Sequence, residues 1–385
     1  MYEIVMRKVI VTGGDHHNTY GVIRALGVKN LSPFLLLVCD KKDSFLLRSK
    51  YLDGFEIVNS DSSAIDFLIK NKELFNGAVI IACSDGMSSA IDSKRNLLSD
   101  TYKLPGSKIE GAITSIMDKE VMSNIGREIG LNVPKSWIVE SVNDICAVEF
   151  PCITKPILSK DGLKADIVIC KNKQELIDLI NTGSCYRYQV QKFIEKKFEY
   201  QLIGLSIDGG NEIIIPGISR CIRPCPGTNT GFLHYESLDV FSVPIEESKL
   251  FVRRTGYSGL FSIEFLRDKN GVDYFMEMNF RNDGNAICVT ASGTNLPFIW
   301  YLANTNGDVV SEISKIKFRP VYVMPEFPDL ECFVYTKKIS IVQWIKDVFL
   351  TDTFMVFNIR DIKPFLFMLQ NRLNKIIKKI LHRRW

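Results

Sequence analysis

Between Tyr274 and Arg281 the chain reads YFMEMNFR, and its alternation sorts the side chains into two sets. In a strand, successive side chains point to opposite faces. Tyr274, Met276, Met278 and Phe280 share one face, and Phe275, Glu277, Asn279 and Arg281 share the other. A carboxylate, an amide oxygen and a guanidinium therefore follow one another at two-residue steps. A second acid, Glu264, stands in the run Leu260–Leu266 (LFSIEFL), where Phe261, Ile263 and Phe265 alternate with Ser262 and Glu264. Hard oxygen donors on neighbouring strands suit Mg²⁺, which takes one or two carboxylates and fills its shell with phosphate oxygens and water. The competing reading is a salt bridge of Arg281 with Glu264 or Glu277 on a half-exposed sheet. Alternation alone does not separate the two.

Other residues could do chemistry as well. Lys155 lies in FPCITKP, at the exit of a short apolar strand, where a lysine can hold a phosphate as a point charge or discourage edge pairing. Arg220 and Arg223 stand three apart in a Pro/Gly-rich stretch, Pro216–Gly227, and can grip a carboxylate or phosphate bidentately or decorate a solvated loop. Asp85 follows an apolar strand and either faces a ligand or caps the next helix. His16 and His17 follow Gly13-Gly14, and exposed loop histidines are the commoner outcome for such a pair. The full GxGxxG spacing of a dinucleotide site is missing.

The motifs fall in an order that resembles the ATP-grasp superfamily, over about residues 1–310. Glu277-x-Asn279-x-Arg281 with an upstream Glu264 is similar to its metal-binding end. Asp118-Lys119, a helical stretch to Gly130 and then Leu131–Pro134 are similar to its "DK…GlxxP" passage. Phe150–Pro156 resembles the strand whose lysine reaches nucleotide phosphates, and Val190–Ile194 resembles the hinge that receives adenine. The resemblance implies ATP and Mg²⁺ (or Mn²⁺) as cofactors. Lys119 and Lys155 would hold phosphates, Gln191, Lys192, Phe193 and Ile194 would receive adenine, and Glu199 would meet the ribose. Glu264, Glu277 and Asn279 would hold the metal. Arg281, with Asn279, would stabilise a transferring phosphoryl group, and Arg220 and Arg223 are substrate candidates. The loop Ser159–Ala165 departs from the family in keeping one glycine, Gly162, where relatives carry several. Lys160 or Lys164 would then supply charge in place of backbone amides.

Composition agrees with an ordered multidomain chain. Its 385 residues allow two or three domains at roughly 150 each. Strand and helix patterns alternate from the start: strands at 8–14, Pro33–Cys39, Gly54–Val58, Ala78–Cys83 and Lys108–Ile109, with a helix over about Thr19–Leu26. The expected α/β architecture is an N-terminal Rossmann-like pre-ATP-grasp domain over 1–115 and a two-subdomain ATP-grasp fold. A lid would occupy 116–190, a metal and substrate subdomain 191–310, and an extension with a basic amphipathic helix 311–385. The amino terminus reads as a strand entering a glycine turn rather than a signal peptide, and no run nears the roughly 18 apolar residues of a spanning helix. Ten scattered cysteines without CxxC pairs read as reduced thiols of a cytoplasmic protein, and Cys221/Cys225 have no histidine nearby for zinc.

Residues 360–385 hold eight Lys or Arg against one acid, a local +7 that leaves −3 for the rest of a chain totalling +4. Leu366, Leu369, Leu373, Ile376, Ile377, Ile380 and Leu381 recur at helical spacing among the lysines. Such a helix can lie on the inner face of an anionic membrane, dock on its own domain, or join a homodimer. Nucleic acid fits poorly, because the charge is terminal and lacks a binding motif.

The resemblance implies a carboxylate–amine ligase of the D-aspartate ligase type, on a carbamoyl-phosphate-synthase-like ATP-binding fold. The chain lacks the length of a complete carbamoyl phosphate synthase, and nothing in it supports a biotin carboxylase. A small-molecule or lipid- or sugar-linked carboxylate would be activated as an acyl phosphate and joined to an amine such as an amino acid. Cell-envelope or surface-polysaccharide synthesis would be a fitting setting. The alternative is an ATP-binding regulatory or membrane-peripheral protein that keeps the fold without turnover.

Overall fold

The computed structural model describes residues 8–156, 168–182, 187–225 and 230–382. Lys160, Gly162 and Lys164, which the resemblance assigns to a phosphate-covering loop, lie outside them. The chain forms two compact units. One comprises residues 1–117, 200–263 and 278–385, and the other 118–199 and 264–277.

The first unit opens with a parallel sheet in the order Gly54–Val58, Phe34–Val38, Val9–Gly13, Val79–Ala82. Val9–Gly13 is buried throughout and pairs with both of its neighbours in parallel. Near-continuous apolar runs of this kind are what a sheet covered on both faces requires. Helices start where hydroxyls cap them: Ser60 accepts from the Ser63 N–H at 3.1 Å and Ser84 from that of Met87 at 3.2 Å. Lys108–Ile109 is not a strand. It forms a bend in which Ile109 is exposed, and the neighbouring ladder contacts are single bridges from Lys103 to Val79 and Gly106 to Ser258.

A second, eight-stranded sheet includes the strands of Glu264 and Glu277. Its edge is Asp273–Asn279, followed by Gly259–Asp268, Lys196–Ile207, Ile218–Pro224, Gly231–Glu236, Val321–Met324 and Thr353–Phe354, with Glu212–Ile214 beside Lys196–Ile207. Downstream of Asn285 the chain forms two helices, Ile287–Ala291 and Leu296–Asn304.

In the second unit, an antiparallel sheet runs Ser136–Val139, Tyr188–Lys192, Cys152–Pro156, Ile169–Cys170. Helix Lys119–Glu128 begins at Asp118, whose carboxylate accepts from the N–H groups of Glu120 and Val121 at 2.9 and 3.1 Å. A side chain at Gly126 would meet the Phe275 ring at 3.3 Å, so glycine lets the helix lie close to the hairpin of Gly259–Asp268 and Asp273–Asn279. That hairpin turns through Asp268, which accepts from the Asn270 and Val272 N–H groups at 2.8 and 2.9 Å, and through Gly271 at φ +84°.

The C-terminal extension docks by its own aromatic residues. Phe365, Phe367 and Met368 of helix Lys363–His382 pack on the main core, whereas Leu366, Leu373 and Ile377 stay exposed. Asp361 is buried and accepts from the hydroxyls of Tyr20 at 3.1 Å and Ser49 at 2.5 Å. Among the described residues no helix is long and apolar enough to cross a membrane, and the nine cysteines are free thiols.

Candidate active site

The chain leaves Asp273–Asn279 through a turn that is stitched to the C-terminal edge of the parallel sheet. Asn282 N–H donates to Ala82 O at 3.0 Å, and Asn18 donates from its amide to Cys83 O at 2.9 Å and Asn282 O at 2.7 Å. The Ser88 hydroxyl donates to Phe280 O at 2.6 Å. Glycine at position 13 is required by close approach, since a Cβ there would sit 2.8 Å from that of Cys83. This edge, outside the carboxyl ends of the strands, is where open α/β sheets bind ligands.

Arg281 lies at its centre. Its Nε donates to Asp85 at 3.0 Å, Nη1 to Asp283 at 3.2 Å, and Nη2 to the Asn279 amide oxygen at 3.0 Å, with a longer contact to Asp85 at 3.4 Å. Ser84, not Asp85, caps the helix, which leaves Asp85 for the guanidinium. Asp283 is the hub. Besides Arg281 it accepts from the Ser262 hydroxyl at 2.8 Å, the Asn285 N–H at 2.8 Å and the Gln201 amide at 3.4 Å. Asn285 donates its amide to Gln201 at 2.8 Å and does not cap the following helix. Asn279 donates to the Ser262 hydroxyl at 3.2 Å.

The two histidines border the same ground. His16 is exposed in the bend before the helix, as the sequence reading expects; its Nδ1 accepts from the Asn18 N–H at 3.2 Å and caps the helix, and its pKa is lowered by desolvation of the ring and then by Arg281. His17 is not an exposed loop residue. Among the described residues its buried Nε2 has no hydrogen-bond partner, a Cβ at Gly284 would approach it to 3.4 Å, and burial lowers its pKa to about 3.

Glu264 and Glu277 are both half-buried, on neighbouring strands, and Asn279 is buried. Carboxylate oxygens of this kind are the donor type that Mg²⁺ takes, and among the described residues no group of three or more His, Cys, Asp or Glu is placed to hold a metal ion. The alternation into a packing face and a chemical face is not clean. Phe275, on the side of Glu277, is 1% exposed and packs edge-on to Phe265.

The nucleotide candidates lie in the second unit. Strand register sets Lys155 opposite Gln189 and Ile153 opposite Gln191, and Gln191 is buried. At the end of strand Tyr188–Lys192, Lys192 N–H donates to Lys135 O at 2.8 Å and Phe193 N–H to Pro151 O at 2.9 Å, which fixes the backbone that leads into the half-buried Ile194. The Lys192 ammonium pairs with Glu149 at 3.0 Å, and Glu199 pairs with Lys196 at 2.6 Å. Lys119 is the first residue of its helix.

The arginines of Ile218–Pro224 have partners within the chain. Arg220 grips Glu236 through two hydrogen bonds of 2.6 and 2.9 Å, and Arg223 spans Asp329 and Asp347. Sequence reasoning missed Asn18, Gln201, Ser262 and Asp283. Only Asp283 carried a local signal, two residues beyond Arg281 in Asn282-Asp283-Gly284-Asn285.

No family model matches the chain. Solved structures do. An L-amino acid ligase from Bacillus licheniformis superposes with a TM-score of 0.62 at 16% identity, over 82% of this chain and 79% of that one. An N5-carboxyaminoimidazole synthetase from Staphylococcus aureus gives 0.64 at 17%, over 84% of each. A biotin carboxylase from Campylobacter jejuni gives 0.64 at 15%, over 84% of this chain and 76% of that one. The chain shares its α/β fold with these three structures.

Proposed function

We propose that the protein is an ATP-dependent carboxylate–amine ligase. The observation that carries this reading is the exit of Asp273–Asn279, where Arg281 divides its donors among Asp85, Asp283 and Asn279 at the ligand-binding edge of an ATP-grasp fold. The solved structures named as an L-amino acid ligase and an N5-carboxyaminoimidazole synthetase support it by fold.

In this reading a substrate carboxylate oxygen attacks the γ-phosphorus of ATP. The new P–O bond forms as the bond to the β-phosphate oxygen breaks, and ADP leaves with the electron pair. An amine then adds to the acyl carbon, loses a proton to solvent and expels inorganic phosphate, leaving an amide. Lys119 and Lys155 hold the ATP phosphates as point charges, Gln191–Ile194 receives the base, and Glu199 meets the ribose. Glu264, Glu277 and Asn279 hold Mg²⁺, which when bound neutralises charge on the terminal phosphates. Arg281 gives up part of its hold on Asp85 and turns those donors to the transferring phosphoryl group and the acyl phosphate. Catalysis of this type is positioning plus electrostatics and needs no protein nucleophile.

A homodimer, a lipid- or sugar-linked carboxylate and a cell-envelope setting belong to the same reading, as does membrane contact through residues 360–385. The test is a screen of amino acids, dipeptides and uronic acids for ATP-dependent phosphate release, run beside Glu277→Gln. A carboxylate and an amine that together raise release are expected, with at least about a 100-fold loss in the variant. Full turnover in folded Glu277→Gln removes that residue from the metal site.

A further inference from the structure

From residue 340 to 382 of the C-terminal extension the acids are engaged within the chain, and several cations face solvent. Between Ser340 and His382 three acids occur. Asp347 pairs with Arg223 at 2.7 Å, and Asp361 is buried beneath the Tyr20 and Ser49 hydroxyls. Asp352 is held by Arg319 at 3.2 Å and by the Tyr322 N–H at 2.8 Å. Lys346, Arg360, Lys363, Lys375 and Lys378 are exposed.

Large apolar side chains stand in water among these cations. On helix Ile341–Leu350, Ile341, Ile345 and Phe349 form a stripe at four-residue spacing, and Phe349 is 86% exposed. Ile359, in the connection to the last helix, is 83% exposed. On helix Lys363–His382, Leu366, Leu373 and Ile377 form a second stripe, each about half exposed. Both helices are anchored to the segment Glu326–Val334. Arg223 ties Asp347 to Asp329, and Arg372 pairs with Glu331 and lies over the Phe327 ring at 4.4 Å.

We infer that this face docks on an anionic lipid surface, with helix Ile341–Leu350 and Ile359 as its main apolar contacts. Aromatic and aliphatic side chains enter the headgroup boundary while flanking lysines meet lipid charge, without any span being required. The charge pattern argues against a second copy. A two-fold contact brings the same patch together on both partners, so it would oppose cations to cations with the acids of this stretch already engaged. The sequence pattern pointed to residues 360–385, and the exposures move the centre of the contact upstream.

The experiment is co-sedimentation of the full chain with vesicles of equimolar phosphatidylglycerol and phosphatidylcholine, or of phosphatidylcholine alone. Binding is expected only with the anionic vesicles. It should fall as salt rises, because surface attraction is screened beyond a Debye length of about 8 Å at physiological ionic strength. The doubly substituted Phe349→Ser/Ile359→Ser protein should partition about tenfold less onto them. Both side chains are exposed, so the melting temperature should be unchanged. The inference is overturned if the chain stays in the supernatant at low salt, or if the double substitution leaves binding intact. It is also overturned if sedimentation equilibrium finds a dimer that the substitutions dissolve, which would assign the face to a second copy. ATP turnover in solution is expected to be unchanged in the variant, so neither result bears on the ligase reading.

Discussion

Arg223 and Arg281 each stand between two aspartates, and they hold them differently. Arg223 closes a two-pronged grip on Asp329 at 3.0 and 2.7 Å and adds Asp347 at 2.7 Å. Asp329 is fully buried, and the Phe232 and Phe333 rings lie 5.0 and 5.3 Å from the guanidinium carbon. Burial works to lower the Arg223 pKa, and the hydrogen bonds to Asp329 and Asp347 outweigh it, so that the pKa is raised. Arg281 spreads its donors over Asp85, Asp283 and Asn279 at 3.0 to 3.4 Å, and the Asp85 side chain is 54% exposed. An arginine saturated by short bonds to buried carboxylates is a joint. One that shares longer bonds with an exposed carboxylate can exchange a partner for a ligand.

Substitution at the joint should have the largest effect. Arg223→Ala leaves two buried carboxylates unpaired and should cost about 3–5 kcal/mol of stability, read by denaturant unfolding. Activity per folded molecule should survive. An Arg223→Ala protein of normal stability, or one folded and inactive, would erase the distinction between the two arginines.

Arg281→Lys should do the reverse. The lysine is a single flexible point charge and cannot serve three partners in different directions. Ligation should fall at least about 100-fold, comparable to loss of a key electrostatic stabiliser, while calorimetric titration finds ATP binding retained. Equal loss of binding and ligation would make Arg281 a support for the sheet.

His17 sharpens the comparison by pH. Its lowered pKa keeps it neutral in the fold down to about pH 3, whereas the unfolded chain takes up a proton near 6.5. Over that window the unfolded state holds more protons, so stability falls as pH falls. His17→Asn should flatten this part of the acid limb in a melting-temperature series. Parallel curves for the two proteins would mean that His17 titrates normally.

The smallest effect belongs to Asp85→Asn. Loss of a partly exposed ion pair should change stability by less than about 1 kcal/mol, and the readout is KM for the carboxylate. An unchanged KM would mean that the Asp85 contact is not one the substrate displaces.

How much of this was legible in the sequence depended on the range of the contacts. The parallel strands were legible because their apolar runs are local, and the strands that hold Glu264 and Glu277 because each alternates. The Arg223 joint was not, since its partners lie 106 and 124 residues away. Nor was the Asp283 hub, whose partners Ser262 and Gln201 are 21 and 82 residues distant. Phe275 defeated the two-face reading, because on its side of the strand helix Lys119–Glu128 provides a second hydrophobic contact at Gly126. Lys108–Ile109 reads as a strand in the strand–helix pattern, but two residues are too few to carry a ladder, and they form a bend. His17 was read as exposed because nothing near it in sequence tells of Gly284.

The central claim is that a carboxylate is activated as an acyl phosphate at the Arg281 site. The most direct measurement uses the carboxylate that passes the phosphate-release screen, labelled with heavy oxygen in its carboxyl group and incubated with ATP and the amine. The account predicts that the released inorganic phosphate carries one labelled oxygen, since the attacking carboxylate oxygen leaves with phosphorus when the amine displaces it. Label recovered in AMP, or kept entirely in the amide and the unreacted acid, would contradict it.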